Sequence, residues 1–137
     1  MLAYSCKENI HHLASLKYYG YEKLKELRTW QKGIDIAVKS YELTSTFPSH
    51  EKFGIISQMN RAAISIPSNI AEGSSRRTNK DYFRFIEISL GSSFELETQL
   101  IIAQKNGLGN SEKINEMMID ITEEQKMLQA FMNKLTD

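Results

Sequence analysis

The chain has 137 residues, 41% of them hydrophobic, with Lys+Arg and Asp+Glu both at 17. That suffices for one domain with a real core but not for two, and zero formal charge leaves no whole-molecule field to attract nucleic acid or anionic lipid, so such binding needs a local patch. The single cysteine, Cys6, rules out an intramolecular disulfide and fits a reducing, cytoplasmic setting, while no apolar run has the length of a signal peptide or membrane span.

In chain order, residues 1–23 show no sustained periodicity; with Tyr18, Tyr19 and Tyr21 they are expected to form an extension, flexible or laid as an arm on a neighbour, ahead of a helical domain over 24–137. Leu27, Trp30, Ile34, Ala37, Val38 and Tyr41 recur at helical spacing and predict a first helix with that stripe on the core, ending near Thr46 before Phe47-Pro48-Ser49-His50. Ser49, with Glu51 and Lys52, predicts the start of a second helix, whose stripe is Phe53, Ile56, Met59, Ala63, Ile66 and Ile70. Pro67 removes the backbone bond to Ala63 and predicts a kink there, with Ser65 and Ser68 placed to satisfy freed carbonyls.

After the connector at 73–79, Thr78 or Asn79 caps a third helix with Asp81 in its first turn, running to about Asn106. Its stripe is Tyr82, Phe83, Ile86, Leu90, Phe94, Leu100 and Ile101, and Gly91, Ser92 and Ser93 leave room for another backbone. Gly107 and Gly109 signal a stop, and Ser111 with Glu112 opens a last helix faced by Ile114, Met117, Met118, Ile121, Leu128, Phe131, Met132 and Leu135. Four long helices on short connectors, with two prolines and seven glycines, predict an all-α, antiparallel up-down-up-down four-helix bundle.

Catalytic and metal chemistry find no support. There is no Glu-x-x-His pair of the kind that holds metal inside bundles, and His11, His12 and His50 fall outside the core helices. Gly107-Leu108-Gly109 lacks the third glycine of a phosphate loop. Glu95 with Glu97, and Glu123 with Glu124, are too close in sequence to share a helix face and read as solvated or paired surface. The expectation is no catalytic residue, no metal, no cofactor, and a protein that is not an enzyme.

Charge is nonetheless uneven: residues 1–90 carry 13 basic against 9 acidic side chains, and residues 91–137 carry 4 against 8. Arg76, Arg77, Lys80 and Arg84 crowd the second connector with only Asp81 among them, which makes them the candidate phosphate contacts for RNA or DNA; the alternative is a solvated helix end or partners for the acidic last helix of a neighbour. A second constellation, Arg61, Asn69, Glu72 and Glu95, puts polar groups on core-forming helices. There, Glu72 or Glu95 is expected to bond Arg61 or the backbone opened at Pro67. The third helix also has a second stripe, Ile88, Gly91, Ser92, Glu95, Gln99 and Ile102, in excess of what one core needs, which predicts self-association.

The string from Ser57 to Gly73, SQMNRAAISIPSNIAEG, followed by Gly91-Ser92-Ser93-Phe94-Glu95-Leu96-Glu97-Thr98 and preceded by Leu27-Arg28-Thr29-Trp30-Gln31-Lys32 and Phe47-Pro48, resembles the four-helix-bundle family of proteins encoded by intervening sequences in bacterial 23S ribosomal RNA genes. The resemblance covers about residues 24 to 135. It implies a homo-oligomer, with a five-fold barrel the suggested form, and it extends to the basic accessory protein of diversity-generating retroelements, which binds nucleic acid and a reverse transcriptase. The present chain departs in being neutral and in having Asn60 where a second arginine beside Arg61 is common. The expected function is an oligomeric binding or scaffold protein that contacts RNA or DNA; the alternative is a protein-interaction module that touches no nucleic acid.

Overall fold

Segments with helical periodicity fold as helices in the computed structural model, which describes residues 23–136: α1 (Arg28–Thr44), α2 (Ile55–Ser74), α3 (Asn79–Lys105) and α4 (Ser111–Thr136). The tyrosines, Cys6 and the two histidines of the N-terminal extension lie outside the described residues. Each helix packs on two others in the cycle α1, α2, α3, α4, while the diagonal pairs make no close approach. Numbers that rise on one helix fall on its neighbour, as in the bonds Ser40–Asn60 and Thr44–Asn60 and the contact of Gly33 with Pro67. This is an antiparallel four-helix bundle. Among the described residues no helix is long and apolar enough to cross a membrane.

The core runs through Ile36, Leu43, Met59, Ala63, Ile66, Ile70, Ile86, Leu96, Leu100, Ile114, Ile121 and Leu128, all at most 2% exposed. On α1 the inward line is mostly small or polar: Thr29, Gly33, Ser40 and Thr44 are buried, with Ile36 and Leu43 as its large apolar members. The stripe expected to face the core is therefore split: Leu27, Trp30 and Ala37 are partly buried against the core, while Ile34, Val38 and Tyr41 are exposed. Apolar periodicity missed the centre of the inner face because short side chains let α1 approach closely, and short side chains carry little hydrophobic signal.

Two other expectations change. The second helix does not begin at Ser49: a single 3₁₀ turn at Ser49–Glu51 is followed by Gly54 and only then by α2, which leaves Phe53 91% exposed. On α3 the buried line is Ile86, Ser89, Ser93, Leu96, Leu100 and Ala103, so Phe94 and Ile101 point outward, and Gly91 faces open space.

Helix ends follow sequence chemistry. Thr78 Oγ1 accepts the Asp81 amide at 3.1 Å, and Asn110 Oδ1 accepts that of Lys113 at 3.0 Å. Gly107, at φ +69, ends α3 in the left-handed region, with its N–H on the Gln104 carbonyl and the Leu108 N–H on that of Ala103.

Among the described residues the tightest glycine is Gly73, where a Cβ would stand 2.7 Å from Tyr82 Cδ2 and 2.8 Å from Phe85 Cβ. Gly73→Ala is expected to lower stability by about 1–3 kcal/mol through overpacking. Gly91→Ala, in open space on a helix, is expected to raise it by up to about 1 kcal/mol. Denaturant midpoints at unchanged m-value report both signs.

Candidate functional site

The α2–α3 turn carries the four basic residues singled out in the sequence, and the structure separates them by role. The Arg76 guanidinium is occupied: it binds Glu72 Oε1 at 3.1 Å, one helical turn back, and lies 4.6 Å from the centroid of the Phe85 ring. Arg77 is exposed at the tip of the turn. Lys80 and Arg84 line an open hollow of about 430 Å³ with Phe83, Glu87 and the end of α4 at Leu135 and Thr136. Among the described residues, Arg77, Lys80 and Arg84 form no ion pair, so three cations remain for a partner.

The second constellation is not one cluster. Glu72 pairs with Arg76 and not with Arg61, because eleven residues along one helix set them roughly 16 Å apart. Asn69 Nδ2 donates to the Ser65 carbonyl at 2.7 Å, within its own helix. Glu95 Oε1 accepts Gln99 Nε2 at 3.3 Å. Arg61 and Glu95 do border the same polar hollow, together with Phe53, Ser57 and Gln58, but no ion pair joins them. Near Pro67, through which α2 runs unbroken, the serine bonded to the helix backbone is Ser89 of α3, whose Oγ donates to the Ile66 carbonyl at 2.8 Å; the hydroxyls of Ser65 and Ser68 play no such part.

Several residues that sequence reasoning assigned no contact role join the helices. Asn60 links α2 to α1: its Oδ1 accepts the Ser40 hydroxyl at 3.0 Å and its Nδ2 donates to Thr44 Oγ1 at 3.1 Å. The signal was there in Ser40 and Thr44, four residues apart on one face of α1. Lys32 fastens α1 to α4 through Glu123 Oε2 at 2.6 Å and Asp120 Oδ1 at 3.4 Å, with Lys39 on the other Asp120 oxygen at 2.5 Å. The hydrogen bond that Lys32 donates to Glu123 holds its ammonium above the ordinary lysine range against the pull of burial. Burial pushes the Asp120 carboxyl up, but Lys39 and Lys32 outweigh it and hold the group below its usual range.

Glu124 overturns the reading of Glu123 and Glu124 as a surface pair. Glu123 is exposed, but Glu124 has no exposed surface, because Ile114, Met117, Ile121 and Leu128 define the inward line of α4 and position 124 falls on it. Neither of its oxygens has a hydrogen-bond partner. Burial pushes this carboxyl up to about 8, with the charge of Lys32 pulling the other way.

Chemically, the surface offers cations and apolar side chains for binding; among the described residues no group of His, Cys, Asp and Glu is arranged to hold a metal ion. Residues 25–130 match the model of a family described as 23S rRNA-intervening sequence protein. A crystal structure of a protein with unknown function from the S23 ribosomal protein family of Bacteroides thetaiotaomicron superposes with a TM-score of 0.71 at 24% identity, covering 77% of this chain and 95% of that one, which supports the fold. No curated protein matches the sequence.

The split within the basic turn is measurable. Arg76→Ala is expected to cost about 1 kcal/mol from the lost ion pair and ring contact. Arg77→Ala, Lys80→Ala and Arg84→Ala are expected to leave the unfolding midpoint where it is, and urea titration of the four variants separates the classes.

Proposed function

Since the chain belongs to the family of 23S rRNA-intervening sequence proteins, we propose that it is a non-catalytic, oligomeric binding protein that holds RNA or DNA through the basic α2–α3 turn. The observation that carries this reading is the placement of its exposed apolar side chains. Ile34, Val38 and Tyr41 on α1, with Ile64 on α2, make one set; Ile88, Phe94, Ile101 and Ile102 on α3 make another. Because α1 and α3 lie on a diagonal of the bundle, the two sets face away from each other.

Apolar surface of this kind is the signature of a protein contact. Two different patches on opposite sides favour a head-to-tail contact, which closes into a ring when the rotation allows, and a ring of five is the form implied by the family resemblance. Each copy would bring Arg77, Lys80 and Arg84 to the same level of the ring, so a patch weak in one subunit acts several times on one strand. Three unpaired cations per copy supply phosphate contacts in a chain whose overall charge is zero.

A second reading, a module that recruits another protein and touches no nucleic acid, is favoured by Phe53, 91% exposed beside Arg61 and Glu95. An exposed aromatic ring flanked by charge suits a protein partner as well as a base.

Two measurements test the proposal. Val38→Glu is expected to return the oligomer to folded monomer, read as native mass alongside an unchanged helical circular dichroism spectrum. Binding of the purified oligomer to mixed RNA and DNA fragments across a salt series is expected to weaken steeply, by about 0.9 in log–log slope per phosphate neutralised on duplex DNA, and to flatten in the Arg77→Ala, Lys80→Ala, Arg84→Ala variant. No binding at low salt sinks the nucleic-acid reading and leaves the protein partner.

A further inference from the structure

The middle of the bundle encloses an ionisable side chain that the binding surface does not use. Glu124 is fully buried and neither oxygen receives a hydrogen bond. A carboxylate is hard to sustain there, because an enclosed ion without donors loses its hydration and gains nothing in return. The charged groups around it do not fill the gap. Lys32, from α1, directs its ammonium to Glu123 and Asp120; Glu97, from α3, is acidic and is held by Gln125 Nε2 at 2.9 Å. From α2 no charge faces inward, since Arg61 and Glu72 are both exposed.

A neutral carboxyl group needs only an acceptor for its O–H, and α2 leaves one carbonyl without its usual donor. At Gly33 the backbones close in: a Cβ there would stand 3.3 Å from the Pro67 nitrogen and 3.4 Å from Glu124 Oε1, so the carboxyl group and the proline border the same gap. Pro67 lies inside continuous α2 and has no N–H, which leaves the carbonyl of Ala63, itself 0% exposed, without its helical donor. Glu124 and Pro67 thus border one gap in the core, and the carbonyl that Pro67 leaves open lies one helical turn before it on α2.

We propose that the folded bundle carries Glu124 as a neutral carboxylic acid whose O–H donates to the Ala63 carbonyl left open by Pro67, making the core a proton-binding site that ties α4 to α2. Folding then takes up a proton at neutral pH, and alkali loosens the bundle from within. The sign follows from burial, which pushes the folded carboxyl up to about 8, above its ordinary 4.5. The contribution of Glu124 is complete below the unfolded value and is lost as pH rises through the folded one, with the unfolding constant growing up to tenfold per pH unit between them. Asp120, held below its usual range, acts only on the acid limb.

The test compares the native protein with Glu124→Gln, whose amide can donate to the same carbonyl without titrating, by denaturant unfolding from about pH 5.5 to about pH 9. The native protein is expected to lose stability with rising pH and level off near pH 8, and the variant to stay flat. Infrared difference spectra read the group directly: a protonated carboxyl C=O band present in the native protein at neutral pH, lost at high pH and absent from the variant. Pro67→Ala returns an N–H to Ala63 and is expected to move the levelling point to lower pH. Equal pH dependence in the native protein and Glu124→Gln, or no acid band at neutral pH, overturns the proposal. A levelling point unmoved by Pro67→Ala overturns the pairing with Ala63.

Discussion

The close approach of α1 to α2 governs much of this structure. Gly33, Ser40 and Thr44 turn short side chains inward, so the α1 backbone comes against Pro67 on one side and the Glu124 carboxyl on the other. Ile36 and Leu43 are the large apolar residues on that inner face, and Ile34, Val38 and Tyr41 stand on the outer surface. The polar groups brought inside must then find partners among themselves, which is why Asn60 meets two hydroxyls of α1. Packing on the inside and apolar exposure on the outside are thus two effects of one choice of small residues.

Electrostatics follows a similar division. Lys32, Lys39, Asp120 and Glu123 are spent on one another, fastening the first helix to the last, and Arg76 is spent on Glu72 and Phe85. Surface pairs of this kind contribute little to stability individually, but they determine which charges are left over. The cations left over at the α2–α3 turn are Arg77, Lys80 and Arg84. A formal charge of zero therefore describes the sum and conceals the distribution, since the acidic excess sits in residues 91–137.

The order of the four long helices and the ends of α3 were legible from spacing and from Thr78 and Gly107, because these act locally on the backbone, whereas the start of α2 was not, since Ser49 opens only a 3₁₀ turn. The inner face of α1 was not, since hydrophobic periodicity measures where large apolar groups recur and not which side is enclosed; Ile34, Val38 and Tyr41 form a clean stripe that meets no core. Glu124 was hidden for the complementary reason: its identity suggested solvent, although its place between Ile121 and Leu128 put it inside. The basic turn could be located but not divided, because the engagement of Arg76 depends on a ring nine residues later in the chain. Position settled what residue type alone had left ambiguous.

The two ends of the bundle are built differently. At one end the α3–α4 loop is seated on the α1–α2 connector, where a Cβ on Gly109 would stand 2.8 Å from Phe47 Cε1 and 2.9 Å from Leu43 Cδ1. At the other, the α2–α3 turn has Arg77 exposed at its tip, with no hydrogen bond or ion pair to the described residues. A peptide or a whole domain spliced in after Arg77's preceding residue would leave every helix register and cap intact, whereas the same splice beside Gly109 would lift a lid off the core. The turn with the free cations is also the place where this scaffold accepts new sequence at least cost to its fold.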